Sequence, residues 1–434
     1  MGADFTSPLA AELAPGLLER LTRYVRVDTQ SARDHPAGRS PSTERQLDLA
    51  RMLVDELREA GLSDVALDEL GFVTATLPGS DATDATIGLL AHVDTSPDAP
   101  GAGVEPIVHR DYDGSPIELP RGGTRLDPAQ MVQLADARGH DIVTASGDTL
   151  LGADDKAGVA AIVTAVAHLA AHPELPRPTL RVGFTPDEEI GEGATRFDLA
   201  AFGADCAYTV DGSELGGLQA ETFSADEATV TVTGIEIHPG FATGRMVNAL
   251  VVAAEIVAAL PADRLTPATS SGREGFLHPF ELDGTAARAT IRLILRDFEE
   301  EGLRSHGELL RATVEQVAAR HPGASADVAI REQYRNMRDA LQRAPHVVAA
   351  ARAAIEAEGI EVRAEPIRGG TDGSLLTARG LPTPNLFTGG HEFHSVREWA
   401  SLQEMAAAAA TLVRLAEIWA RPETSAATAR ADAA

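Results

Sequence analysis

The sequence predicts an α/β protein: a mostly parallel mixed sheet with helices on both faces, plus an inserted smaller α+β unit of βαββαβ order. Residues 1–220 alternate short apolar runs with helical periodicity, the next hundred or so switch to period-two alternation, and helix–strand alternation resumes from Pro345. A chain of 434 residues also exceeds what one hydrophobic core usually organises, so two domains are expected.

Leu49, Leu53 and Leu57 recur at helical spacing, and Thr43 with Gln46 has the form of a capping box, predicting a helix from near Glu44 to Gly61. The run Ile87–Val93 is short and nearly all apolar and stops abruptly at Asp94, which reads as a buried strand. A helix over Lys156–Ala171 and strands over Leu180–Phe184 and Ala207–Val210 continue the alternation. After Glu221 come a strand Glu227–Thr233, a helix Val247–Leu260, strands Phe276–Leu282 and Ala286–Leu295, a helix Glu299–Ala319 and a strand Ala326–Ile330. Leu402–Ala420 is an alanine-rich helix. The domain boundaries expected are therefore 1–220 with 338–420 for the larger unit, 221–337 for the insertion, and 421–434 as a disordered tail without apolar periodicity.

Composition excludes some classes of function. Lys and Arg total 37 against 65 Asp and Glu, and the net charge of −28 repels phosphate backbones and anionic lipid. Nucleic acid and membrane are not expected partners. Cys206 is the only cysteine, which rules out an internal disulfide and reads as a small buried side chain. No stretch has the length of a membrane span or the form of a signal peptide, so a cytoplasmic protein is expected.

Five segments at or after predicted strand ends carry metal-type ligands: His92 with Asp94, Asp154, Glu188–Glu189, Asp211 and His394. In open α/β sheets, loops at the carboxyl ends of strands converge on one crevice. His92 and Asp94 project from one face of an extended strand, and Asp94 supplies the acceptor that orients a ligating imidazole. Asp154, in Gly152–Gly158, stands at a helix start where a carboxylate either caps the helix or bridges two cations. Asp187, Glu188 and Glu189 crowd three acids after one strand, which is costly without a cation; Glu189 reads as a ligand and Glu188 as a general base. Asp211 precedes Gly212 at a strand end, a position that alone also suits a turn. His391 and His394 compete as the last ligand, and their spacing of three is not the helical zinc signature.

Taken together and in this order, the HxD, GxDDKxG, DEExG and DG elements resemble the two-zinc exopeptidase superfamily that includes glutamate carboxypeptidase, aminoacylase and succinyl-diaminopimelate desuccinylase. Within it, Thr149–Gly158, His238–Gly240 with Met246–Ala249, Gly272–Phe276, Arg335–Met337 and Ile367–Gly373 resemble the peptidase T family, and the likeness runs from about Leu17 to Ala420. The resemblance implies an α/β zinc exopeptidase fold, two Zn2+ ions per subunit (a donor set that also suits Co2+ or Mn2+) and hydrolysis of the N-terminal residue of short peptides, chiefly tripeptides. It implies that one zinc takes His92 and Asp211, the other Glu189 and His394, with Asp154 bridging and Glu188 as base. His394 is preferred because it precedes Glu398 by four, and Arg397 stands where the family has a histidine. A cis bond between Asp154 and Asp155 is implied, as are substrate contacts from His238, Asn248 and Arg368, a lid or dimerisation role for the insertion, and a homodimer. Carboxypeptidases, dipeptidases and deacylases of the superfamily share the same metal chemistry, and a non-catalytic peptide-binding relative would have lost Glu188 or a ligand. His109, His140, His172 and His278 fall outside the motifs and are expected at the surface.

Overall fold

The computed structural model describes residues 4–80, 83–421 and 424, so the expected tail 421–434, apart from Arg421 and Thr424, lies outside the described residues. The chain forms two compact units: one made of residues up to Ala220, Met337–Glu365 and residues from Thr371 on, the other of Glu221–Asn336 and Pro366–Gly370. The short return segment that carries Arg368 thus groups with the second unit, outside the 221–337 interval read from the sequence.

The first unit is organised by a seven-stranded sheet in the spatial order Ser63–Leu67, Val73–Leu77, Thr179–Thr185, Thr86–His92, Cys206–Gly212, Asn385–Phe387, Leu218–Gln219. Its four central strands, Thr179–Thr185 to Asn385–Phe387, are parallel, and the strands flanking them are antiparallel. Strand Thr86–His92 is almost wholly buried because both faces are covered. Ile87, Leu89 and Ala91 point into the main core, while Leu90, on the opposite face, packs with Phe197, Phe202 and Leu376. Helix Ala153–Ala171 lies against this strand and its neighbour Cys206–Gly212, and is itself covered by helices Pro8–Tyr24 and Leu402–Trp419. Two buried helices side by side explain the alanine run, since small side chains let the helix axes approach closely. Gly158 serves the same end, because a Cβ there would stand 1.8 Å from the Val210 carbonyl oxygen.

A four-stranded antiparallel sheet in this unit, Gly390–His391, Trp399–Ser401, Ile142–Thr144 and Ile107–His109, was not legible in the sequence, whose strands here are two or three residues long. It half-buries His109 and His140, correcting their expected surface position: His109 Nε2 is 3.0 Å from Thr144 Oγ1 and His140 Nδ1 is 2.8 Å from Ser401 Oγ. The expected capping box is also absent. The helix runs Gln46–Glu59 with no side-chain cap, and Gln46 turns inward, donating to Asp187 Oδ1 at 2.7 Å. Cys206 is free and buried.

The second unit is a four-stranded antiparallel sheet ordered Phe276–Gly284, Arg288–Asp297, Ser224–Thr233, Ser325–Tyr334, covered by helices Ala249–Ala259 and Glu300–Ala318. Its own core gathers the alternate residues Ala228, Val230 and Val232 with Ile291, Leu293, Leu310 and Val314. Among the described residues no helix is long and apolar enough to cross a membrane.

Ala409 is fully buried in helix Leu402–Trp419. Ala409→Leu should therefore overpack the core around this helix, costing about 1–3 kcal/mol. A lowered urea midpoint with an unchanged slope is the expected result; an unchanged midpoint would show that this packing is loose.

Candidate active site

The carboxyl ends of the parallel strands bring the predicted residues into one cluster. His92 ends its strand with the ring 2 % exposed, its Nε2 3.0 Å from Asp154 Oδ1 and 3.6 Å from Asp211 Oδ1. The second oxygen of Asp154, Oδ2, lies 3.3 Å from His394 Nε2, and the same His394 nitrogen is 2.8 Å from Glu189 Oε2. Asp154 thus sets one oxygen toward each of the two imidazoles. Two donor groups, His92 with Asp154 and Glu189, and His92 with Asp155 and Asp211, each have ligand atoms within 4.8 Å of one another. Asp155 was named in the sequence only for its bond to Asp154, which is cis; its carboxylate is buried, with Oδ2 accepting from the His92 backbone N–H at 3.2 Å and Oδ1 from Gly158 N–H at 3.1 Å.

Backbone hydrogen bonds hold the acids where they are. Asp94 is fully buried; its Oδ1 accepts from Glu188 N–H at 3.0 Å and its Oδ2 from Glu189 N–H at 3.2 Å. The imidazole Nδ1 of His92 lies nearer the Asp94 carbonyl oxygen, at 3.0 Å, than its carboxylate, at 3.4 Å. Asp94 therefore fixes both the ring and the loop of the acids. Glu398, fully buried, accepts from Leu151 N–H (2.8 Å), Gly152 N–H (2.7 Å) and Asp154 N–H (3.0 Å). Asp187, with φ 61, anchors the other side of the acidic loop by accepting from Ser42 and Gln46. Asp372 accepts from Thr185 Oγ1 at 2.6 Å and Ala194 N–H at 2.8 Å, and so brackets the same loop. Asp155, Glu398 and Asp372 carried no signal of their own in the sequence, although the spacing of Glu398 from His394 was one pointer.

His391 is elsewhere. Its ring stacks on Trp399 with centroids 4.1 Å apart, and its Nε2 is 2.8 Å from Glu404 Oε2. Arg397 pairs with Glu392 at 3.0 Å. The three candidate substrate residues lie in the second unit, each in local contacts. Asn248 caps helix Ala249–Ala259, accepting from Leu250 N–H and Val251 N–H. His238 Nδ1 accepts from Gly240 N–H at 3.1 Å. Arg368 donates from Nη1 to the Gly272 and Glu274 carbonyls and from Nη2 to Ser270, with its guanidinium over Phe223 and Phe276.

Burial and like charge oppose ionisation throughout the cluster. Burial, reinforced by Asp154, pushes Glu189 up to about 8, and burial pushes Asp211 up to about 7. Glu188 is raised well above its ordinary range by burial and by Asp211, Asp372 and Glu189. Burial works against protonation of the imidazoles, yet hydrogen bonds to the acids outweigh it, raising His92 well above its usual value and His394 to about 11. Asp154 goes the other way, because His394 and His92 overcome its burial and depress it.

The model of a family described as peptidase family M20/M25/M40 matches residues 144–418, and the chain belongs to that metal-dependent family. Particular relatives are peptidase T from Aeromonas hydrophila, 46% identical over 93% of this chain and 98% of its own, and peptidase T from Geobacillus thermodenitrificans, 44% identical over the same shares. In fold the chain is similar to the crystal structure of aminopeptidase PepT from Bacillus cereus, with TM-score 0.71, 24% identity and coverage of 94% of this chain and 99% of that one.

A carboxyl whose folded value lies above its unfolded one gives stability at low pH that is lost as pH rises. That loss runs from the ordinary carboxylate range near pH 4 up to about 8 for Glu189 and about 7 for Asp211, and for His394 it continues toward about 11. Asp154 has the opposite sign, its contribution being lost only as pH falls below the ordinary carboxylate range. Chelator-stripped protein should therefore melt lower at about pH 9 than at about pH 5, and added zinc should narrow the gap. Equal melting points for the stripped protein would contradict the charge crowding described.

Proposed function

We propose that this protein is a two-metal aminopeptidase that hydrolyses the N-terminal residue from short peptides, chiefly tripeptides. The observation that carries the reading is the Asp154 carboxylate, with one oxygen 3.0 Å from His92 and the other 3.3 Å from His394. The donor set fits a pair of cations. Carboxylate and imidazole donors crowd together, and Glu189 Oε1 is buried with no hydrogen-bond partner, an acceptor whose burial is costly without a cation. In this reading His92 and Asp211 hold one Zn2+, Glu189 and His394 the other, and Asp154 both; Co2+ or Mn2+ would suit the same donors.

When bound, such a cation pair supplies Lewis acidity toward a carbonyl oxygen and lowers the pKa of water. The chain's own groups account for the rest. Glu188 takes a proton from the attacking water and passes it to the leaving amine, a role suited by its burial and raised proton affinity. Asp94 keeps Glu188 and the His92 ring in register, its carboxylate accepting from the Glu188 N–H and its carbonyl oxygen lying against His92 Nδ1. Substrate contacts by His238, Asn248 and Arg368, a lid role for the inserted unit and assembly as a homodimer, each resting on the family resemblance, complete the proposal, with work in the cytosol resting on the sequence's lack of a signal-peptide or membrane-span pattern.

The test is release of the N-terminal residue from a free tripeptide by zinc-loaded protein, beside N-acetylated and C-amidated versions and a chelated control. Chelator-sensitive cleavage that stops on N-acetylation is the expected result. Cleavage of only the acetylated peptide would make the protein a deacylase, and release from the C-terminus a carboxypeptidase. Glu188→Gln should lower kcat by about 10²- to 10⁴-fold with metal content unchanged; wild-type turnover in that variant would remove Glu188 from the chemistry.

A further inference from the structure

Helix Ala153–Ala171 begins at the active-site cluster and ends at a second grouping of ligand-type side chains. His168 and His172 are four residues apart, so they share one face, and their ring centroids lie 4.4 Å apart. His168 Nδ1 is 3.6 Å from Glu12 Oε1, on helix Pro8–Tyr24, and His172 Nδ1 is 3.0 Å from Glu174 Oε1. Glu12, His168 and His172 offer three ligand atoms within 4.8 Å of one another. A tetrahedral zinc with bonds of about 2.0–2.1 Å would separate its ligands by roughly 3.4 Å, so closing onto an ion needs only about 1 Å of movement. The exposed Glu12 side chain, 63 % accessible, is free to make it.

The geometry points to a peripheral transition-metal site at Glu12, His168 and His172, with Glu174 completing or supporting the shell. Two imidazoles and a carboxylate make a borderline donor set that takes Zn2+, Ni2+ or Cu2+ and discriminates against Ca2+ and Mg2+. His168, largely buried with its side chain 10 % exposed, is held in the neutral, ligating form by burial and by the neighbouring His172, against the opposing acids Glu12, Glu174 and Glu417. The ion would clip the helix Pro8–Tyr24 to the far end of the helix whose start carries Asp154. Fourteen residues of helix separate His168 from Asp154, about 20 Å, so this ion is distinct from any held by the active-site cluster.

The experiment compares zinc content after dialysis of the full chain against buffered micromolar free zinc, for wild type, His172→Ala and Glu12→Ala. Both substituted side chains are at least 42 % exposed, which keeps folding out of the comparison. Wild type should hold one more zinc per chain than His172→Ala, and a weaker site in Glu12→Ala should show as at least a tenfold rise in the free zinc needed. Peptidase activity should be the same in all three, because the active-site cluster is untouched. The melting temperature of wild type alone should continue to rise with zinc after activity has saturated. Equal zinc content in wild type and His172→Ala, or loss of activity in step with loss of that zinc, would overturn the proposal.

Discussion

The larger unit holds five carboxylates and the His92 ring together largely out of water, with the more exposed His394 ring set against them. Desolvation alone opposes each ionised acid, and each ionised neighbour opposes the next. Raised proton affinities of Glu188, Glu189 and Asp211 are the direct trace of that conflict. Side chains placed this way would relax apart if the backbone allowed it. The parallel strands, the helix start at Asp154 and the loop after Thr185 do not, because each is tied by buried acceptors to its neighbours.

Those ties have a common form. Asp94, Glu398, Asp187 and Asp372 are acids spent on N–H or hydroxyl donors. Charge-assisted hydrogen bonds of this kind are stronger than neutral ones and fix direction as well as distance. Glu398 gathers three N–H donors from residues 151, 152 and 154, which keeps the two oxygens of Asp154 aimed at two different rings. The clustered acids and imidazoles are therefore supported from behind by further acids, and acid counts in the sequence mix the two.

That mixing explains what could and could not be read from sequence. Strand and helix positions were legible because apolar runs and leucine spacing follow burial, as in Ile87–Ala91 and Leu49–Leu57. Asp154, Glu189 and His394 were legible because each sits in a motif at a strand end. Asp155 and Asp372 were not, since an acid beside another acid and an acid beside a threonine look like surface residues until the fold buries them. Gln46 had a good local use as a cap and lost it to Asp187, a partner 141 residues away. The short strands Ile107–His109 and Trp399–Ser401 left no periodicity at all; their pairing is decided by partners remote in sequence.

The same remoteness bears on how the protein is made. His92 is followed by some three hundred residues before His394, and the strand Asn385–Phe387, which lies along Cys206–Gly212, comes just before it. A chain emerging from the ribosome therefore carries Asp154, Glu188, Glu189 and Asp211 long before His394 and Glu398 exist to balance and brace them. Until then the helix Ala153–Ala171 also lacks the helix Leu402–Trp419 that covers it. The acid cluster and the covering of that helix both wait for residues 385–419, so neither is complete until that segment has been made.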